Sequence, residues 1–448
     1  MSRHADKLAT LRSKLDQQQA ATVGLNKSTS NLFRDRQGTQ GERLDLSHFN
    51  EVIDVDASAG WVDAEGMTTF YNLASACLQH QTMPAVVPEL RSITLGGAAT
   101  GVGIESTSFR HGLVHHNLLE MDILTADGEI RHCRPDNEHS DLFFGFPNSY
   151  GTLGYALRLR YRTLPVKPYV RLEHHHCTDT TDFFAAVDRH CRGPESGDND
   201  FVDGVVFGRS EQVLTLGRFV DEAPYASDYT FEHIYYRSLR ERGEDYLTAH
   251  DYLWRWDTDW FWCSKNVFAQ HPIIRRLYGR RRLNSVTYSR IMRFNNRWGL
   301  TRRLNRLRGI HTESVIQDVD IPLENAPGFL DFLLREIGVL PIWVCPIGTS
   351  DLPGPFPLYP LKDDTLYINF GFWDVISTHE SYPHGHFNRL IEREVAACGG
   401  TKSLYSESYY DEAEFWSIYN HAAYKELKQR YDPHGRFPDL YAKCVLRR

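Results

Sequence analysis

No run of apolar residues in this chain approaches the roughly 18 that a helix needs to cross a bilayer. The best candidate, Ile337 to Ile347, is short and interrupted by Pro341 and Pro346. No internal repeat is visible, and the eight cysteines (Cys77, Cys133, Cys177, Cys191, Cys263, Cys345, Cys398, Cys444) include no C-x-x-C pair and no tight cluster. Scattered thiols argue against both a disulfide framework and a metal site. His174, His175 and His176 are adjacent, but consecutive residues of a strand point to opposite faces and do not converge, so no metal is expected. The N-terminal stretch lacks the apolar core of a secretory signal. It is polar and Gln-rich with Leu8, Leu11 and Leu15 at helical spacing, so it reads as an amphipathic lead-in helix. A cytoplasmic protein with at most peripheral membrane contact is the expectation.

Carboxylates are missing from one long interval. None lies between Asp259 and Glu313, where Lys265 and twelve arginines fall, from Arg275 and Arg276 through Arg280, Arg281 and Arg282 to Arg308. With a net charge of −8, the remainder carries about −21. Such segregation fits either a solvated face salt-bridged to the acidic remainder or an anionic partner. An anionic membrane surface met through Arg275 to Arg308, an anionic lipid substrate and a nicotinamide phosphate are the partners considered. No helix-turn-helix or RNA-binding signature accompanies the run, so nucleic acid is not expected. Trp254, Trp256, Trp260 and Trp262 precede it, and indoles beside arginines suit either a lipid-facing surface or a buried aromatic strip.

What is present in abundance is small-residue backbone in the first third of the chain. Gly96, Gly97, Gly101 and Gly103 fall within eight residues, behind the Pro88-Glu89 turn. Such a segment can press its N–H groups against a phosphate-bearing ligand, and a helix opening after it adds unpaired donors and a positive dipole end. A tight structural turn is the alternative reading. A second small-residue element runs from Asn148 to Gly154. Gly101-Val102-Gly103 followed by Ser106 is only a degenerate dinucleotide fingerprint with no βαβ start, so a Rossmann fold is not expected.

The 448 residues are enough for two or three domains, and 41% apolar content is ordinary for a globular chain. Thr68 or Thr69 caps a helix to about Gln79 with Phe70, Leu73, Ala74 and Cys77 inward. A hairpin turns at Asp127-Gly128, and one helix is expected from Ala413 to Tyr431. Strands and helices are mixed without strict alternation, which argues an α+β fold. Pro165 and Pro168 suggest boundaries giving 1–165, 166–400 with a basic aromatic segment 254–308, and 401–448.

Thr94 to Gly112, Glu120 to Gly128, His139 to Phe143 and Gly151 to Gly154 resemble the FAD-binding core of the vanillyl-alcohol-oxidase (PCMH-type) superfamily, in its Δ24-sterol reductase branch. Tyr169-Val170, Pro341 to Pro346, Glu414 to Trp416 and Phe437-Pro438 extend the likeness over nearly the whole chain. Thr29 to Arg34 and Phe146 to Tyr150 look more like bacterial flavoproteins thought to reduce a methylene branch on a fatty-acyl chain. The resemblance implies a two-part FAD-binding domain, an α+β substrate or cap domain, and a C-terminal segment packing back near the flavin. It also implies NADPH as reductant and an apolar lipid whose carbon–carbon double bond is reduced. An FAD-dependent alcohol or sugar oxidase using dioxygen, and a non-catalytic flavin-binding protein, are the alternatives.

Carried over by position, the cofactor residues are Lys27, Ser28, Thr29, Ser30 and Asn31 in a first loop, then Pro88, Thr94, Leu95, Gly96, Gly97, Ala98, Thr100, Gly101, Gly103, Ile104, Glu105, Ser106 and Ser108, then Gly151, Thr152 and Gly154. Covalent attachment in this superfamily uses a His or Cys in specific loops; the first loop offers neither and His111 lies just after the second, so dissociable FAD is expected. Reducing an isolated alkene needs a well-placed acid in a dry pocket. The candidates are Glu105, Tyr409, Tyr410 and Lys425, with Glu407 beside them.

Overall fold

The computed structural model describes residues 3–15, 23–26, 42–298, 309–350 and 352–447. Lys27, Ser28, Thr29, Ser30 and Asn31, with the rest of 29–34, lie outside the described residues, as do Arg302, Arg303, Arg306 and Arg308.

The fold is α+β, as expected. β1 (Val23–Asn26) pairs in parallel with β2 (Glu42–Asp45). A six-stranded sheet follows, built from β3 (Val52–Asp56), β4 (Trp61–Glu65), β5 (Thr82–Pro84), β6 (Leu118–Leu124), β7 (Ile130–Cys133) and β8 (Tyr155–Pro165). Its order is β3-β4-β8-β6-β7, with β5 on the far end of β8. Alternation along β8 fixes the register: Leu157, Leu159 and Tyr161 point into the core, while Arg158 on the other face reaches Asp63, Glu120 and Asp122 at 2.7–2.8 Å. The β6–β7 hairpin turns where Gly128 takes φ +89° and Asp127 Oδ1 accepts from Thr125 Oγ1 and Glu129 N. Thr69 caps the helix Phe70–Leu78, which buries Phe70, Leu73, Ala74 and Cys77 as expected.

The second sheet has eight strands: β9 (Tyr169–Cys177), β10 (Phe201–Gly208), β11 (Glu211–Val220), β12 (Glu244–Thr248), β13 (His311–Pro322), β14 (Ile342–Gly348), β15 (Leu366–Thr378) and β16 (Thr401–Lys402). The order is β12-β9-β11-β10-β14-β15-β13-β16, antiparallel throughout. Period-two alternation gives it two different faces. Val202, Val319, Val344 and Phe370 face helices Thr180–Arg192, Ala326–Phe332 and His386–Ala397 in an apolar core. Phe201, Val205, Trp343, Cys345 and Trp373 face the first sheet's side of the molecule. The two halves touch backbone to backbone: Val202 N donates to Ser106 O at 2.9 Å, and a Cβ on Gly348 would overlap the Phe109 carbonyl.

Two expectations change, and one open alternative is decided. The helix expected from Ala413 to Tyr431 is two, Glu412–Ile418 and His421–Tyr431. They are divided at Asn420, which adopts φ +52° and caps the second helix by accepting from Ala423 N; Asn tolerates that conformation better than most residues. The tryptophan strip is buried, not lipid-facing: Trp256 stacks on Phe261 at 4.8 Å and Phe261 lies 4.3 Å from Trp373. The glycine-rich run is not a loop ahead of a helix but contains the helix itself, Leu95–Gly101.

Candidate functional site

The first turn of the Leu95–Gly101 helix has no donors to spare. Leu95 N donates to Thr68 O, Gly96 N to Gly66 O, Gly97 N to Thr94 Oγ1 and Ala98 N to Thr94 O, all at 2.8–3.2 Å. The expected phosphate-seeking helix end is therefore corrected: these N–H groups hold the helix to the first sheet's edge. Gly96 is needed because a Cβ there would stand 2.8 Å from Gly66 O. Gly103 would likewise meet Pro88 and Val114 at 3.0 Å. Gly101 differs, since its nearest neighbour would be the Tyr150 ring at 3.7 Å, an ordinary contact. Val102 ends the helix at φ +51°, a rare conformation for a β-branched residue; its side chain is locked among Leu113, Ile347, Tyr359 and Tyr367. Gly96, Gly97, Thr100, Gly101, Gly103 and Ile104 are half-open, whereas Pro88, Thr94, Leu95, Ala98, Glu105, Ser106 and Ser108 are buried.

Beside this helix runs the second small-residue element. Asn148, Tyr150, Gly151 and Gly154 all take positive φ. Asn148 Nδ2 donates to Leu358 O at 2.6 Å, while Asn148 Oδ1 and Ser149 Oγ are buried without a partner among the described residues. Thr152 is spent on the turn, donating to Ser149 O, and its carbonyl accepts from Lys428 Nζ at 2.9 Å. Lys443 Nζ binds Tyr150 O at 2.5 Å, so residues of the C-terminal segment grip this turn from outside.

Glu105 belongs to a buried charge cluster. Arg255 Nη2 donates to Glu105 Oε1 and to Asp203 Oδ2, both at 2.9 Å, and its guanidinium lies 4.0 Å over the Tyr252 ring. Glu105 Oε2 accepts from the Ser106 amide and hydroxyl, and Trp343 Nε1 donates to Asp203 at 3.2 Å. Both oxygens of Glu105 are committed, so although burial pushes its carboxyl upward against the pull of Arg255, its role is charge placement.

A different acid has an oxygen to offer. Along β13, residues 315, 319 and 321 enter the helix-side core, and alternation turns Asp318 and Asp320 to the other face. Asp320 is satisfied by Tyr359 Oη and Asn369 Nδ2, each at 2.7 Å. Asp318 hydrogen-bonds Tyr405, whose hydroxyl accepts from Trp373 Nε1 at 2.9 Å. An indole only donates, so the Tyr405 proton points at Asp318. Asp318 Oδ1 has no hydrogen-bond partner among the described residues, and it stands beside Gly371, where a Cβ would come within 2.7 Å of it. Burial, reinforced by Asp320, pushes the Asp318 carboxyl up to about 7 despite the Tyr405 bond. Glu89 feels the charge of Asp318 as well as that of Glu105, and Tyr405 feels Tyr150. Asp318 thus lies within electrostatic reach of the Glu89 turn that precedes the glycine-rich helix.

Residues 4–134 match the family described as FAD binding domain. Delta(24)-sterol reductase of Homo sapiens is 28% identical over 88% of this chain and 76% of its own length, and that of Arabidopsis thaliana is 26% identical over 89% and 76%. This is an FAD-binding oxidoreductase related to the Delta(24)-sterol reductases. Cytokinin dehydrogenase 10 of Oryza sativa subsp. japonica is 32% identical over a shorter stretch, 38% of this chain and 31% of its own.

The residues present fit FAD. The half-open backbone of Gly97, Thr100, Gly101 and Ile104 offers a side-chain-poor surface, and the unpaired Asn148 Oδ1 and Ser149 Oγ offer polar atoms beside it. Buried polar atoms are costly unless something pairs them. His115 adds a buried imidazole with neither nitrogen bonded, held neutral by desolvation and packed 4.5 Å from Phe356. His111, partly buried near Arg110 and Arg162, is pushed down to about 4. Gly154 serves packing instead, since a Cβ there would strike Ile123 and Leu124 O at 2.7 Å.

The other acid candidates are not brought together with these residues. Tyr409 donates to Glu407 at 2.5 Å and lies under Arg389 and Arg447. Tyr410 packs near Phe415 and Tyr419, behind the buried Lys402–Glu392 pair. Lys425 is exposed on the helix His421–Tyr431. Sequence reasoning missed Asp203, Arg255, Asp318, Tyr405 and Asn369. The available signal was Asp318 and Asp320 alternating with Val319 and Ile321 in one strand.

Proposed function

We propose that this protein uses dissociable FAD, reduced by NADPH, to reduce a carbon–carbon double bond of an apolar lipid, either a sterol side chain or a methylene-branched acyl chain. The likeness to the Delta(24)-sterol reductases over most of the chain supports the reaction class. The single observation that carries the reading is Asp318: a carboxyl with one unpartnered oxygen, set beside the indole of Trp373 on the sheet face turned toward the glycine-rich helix.

Bound FAD supplies hydride. The chain itself must exclude water, orient an apolar chain and deliver a proton to the second alkene carbon. Trp343, Phe261 and Trp373, with ring centroids 4.3–5.6 Å apart, form an aromatic wall suited to hydrocarbon. Asp318 donates the proton from Oδ1, and the Tyr405 hydroxyl, oriented by Trp373, stabilises the carboxylate left behind. Solvent then reprotonates it. Arg255, shared between Glu105 and Asp203, offsets one of their two negative charges and so lessens what opposes that step.

Anaerobic stopped-flow absorbance tests the reading. NADPH should bleach the flavin band, and a methylene- or Δ24-unsaturated lipid should restore it; Asp318→Asn should bleach at the wild-type rate but be restored at least about a hundredfold more slowly, the scale of a lost general acid. Bleaching by an alcohol with peroxide release in air, and none by NADPH, would replace this reading with that of an oxidase.

A further inference from the structure

Phe268, Ile273, Leu277 and Phe294 are the most exposed large apolar side chains among the described residues, at 70%, 66%, 76% and 61%. All four fall in the carboxylate-free interval. Ile273 and Leu277 are four apart on the helix Pro272–Tyr278 and so share a side; Ile291 and Phe294 are three apart on the helix Ser285–Trp298. Loose packing does not explain their exposure, because the opposite sides are firmly mounted. Arg275 is buried on Asp259 at 2.7 and 2.9 Å and donates to the Ala269 and His233 carbonyls. Tyr288 is buried with its hydroxyl on Thr258 O at 2.8 Å, and Ser285 Oγ binds Asp257 at 2.5 Å. Arg275, expected to meet a membrane, is therefore a structural anchor.

The exposed cations are others. Arg276, Arg281, Arg282 and Arg290 stand open with no carboxylate in salt-bridge range among the described residues, while Arg280 pairs with Asp228 at 2.8 Å. Arg276 lines, with Glu232 and Glu241, a cleft of about 350 Å³. Exposed apolar side chains and exposed arginines carried by the same short segment match a surface with an anionic plane above hydrocarbon. The mount also continues to the candidate site, since Trp262 Nε1 donates to Trp373 O at 3.2 Å and Lys265 binds Asp374 at 2.7 Å.

We propose that the face formed by helices Pro272–Tyr278 and Ser285–Trp298 docks on an anionic lipid bilayer, with Phe268, Ile273, Leu277 and Phe294 entering the headgroup region and Arg276, Arg281, Arg282 and Arg290 meeting the headgroups. This stands apart from the redox reading, because vesicle binding requires no turnover. The test is flotation of the flavin-loaded protein with vesicles of pure phosphatidylcholine and of phosphatidylcholine containing phosphatidylglycerol. Binding is expected only to the anionic vesicles and is lost at high salt. Ile273→Ser with Leu277→Ser, and separately Arg281→Glu with Arg282→Glu, should each weaken it by at least about tenfold with flavin absorbance and melting temperature unchanged. Equal binding to both vesicles, or full binding by the arginine variant, would overturn the proposal. So would self-association without vesicle binding that the same substitutions abolish, which would assign this face to a second copy of the chain.

Discussion

Asp318 owes its chemistry to what surrounds it rather than to its type. A carboxyl whose proton is favoured by burial adds stability that is complete below the ordinary carboxylate range and is lost as pH rises through its folded value, about 7 here. Asp318→Asn removes that loss. The variant should therefore melt above the wild type at about pH 8, by the equivalent of about 1–2 kcal/mol, and converge with it as pH falls through the ordinary carboxylate value of 3.8, below which the acid is protonated both folded and unfolded. Calorimetry across that range checks the sign. The same proton sets the expected pH dependence of lipid reduction in the wild type: the rate of flavin recovery should fall as pH rises through about 7. Flavin bleaching by NADPH does not draw on this proton and should lack that limb.

At the level of elements, the glycine-rich run separates into positions that serve packing and one that leaves room for a ligand. Gly96→Ala would set a Cβ 2.8 Å from the Gly66 carbonyl oxygen, so it should cost about 1–3 kcal/mol, read as soluble yield and melting temperature. Gly101→Ala meets nothing closer than 3.7 Å in the protein and should fold normally, yet bind FAD at least about tenfold more weakly if the cofactor backbone lies against it. Fluorescence titration of the apoprotein with FAD distinguishes the two. The hairpin at Asp127-Gly128 and the helix capped by Thr69 were legible in the sequence because local signals decide them. The helix inside the glycine run was not, because its stability comes from Gly66 O and Thr68 O, contacts made by residues far earlier in the chain. The break at Asn420 was hidden for the opposite reason: the helical pattern continues through it, and one residue's left-handed backbone overrides that pattern. The match to an FAD binding domain was readable from the glycine-rich motif. The acid was not, since only strand register reveals that Asp318 shares a face with Trp373 rather than with Val319.

For the whole molecule, Arg255 is the side chain that joins the flavin-side residue Glu105 to Asp203 on the second sheet. Arg255→Ala would leave two buried carboxylates without their cation, which typically costs about 3–5 kcal/mol. Because the same guanidinium serves both halves, wild-type unfolding should be a single calorimetric transition, and the variant should melt earlier with loss of flavin at the same temperature. Two separate transitions in the wild type would show that the halves are independent.

The contact between the Ser106 carbonyl and the Val202 amide, with Phe109 pressed against Gly348, ties this seam through main-chain atoms that no side-chain truncation deletes. What a substitution can do is wedge it: a methyl group at position 348 would fall on the Phe109 carbonyl oxygen, so the absence of a side chain there is what lets the two sides close on each other.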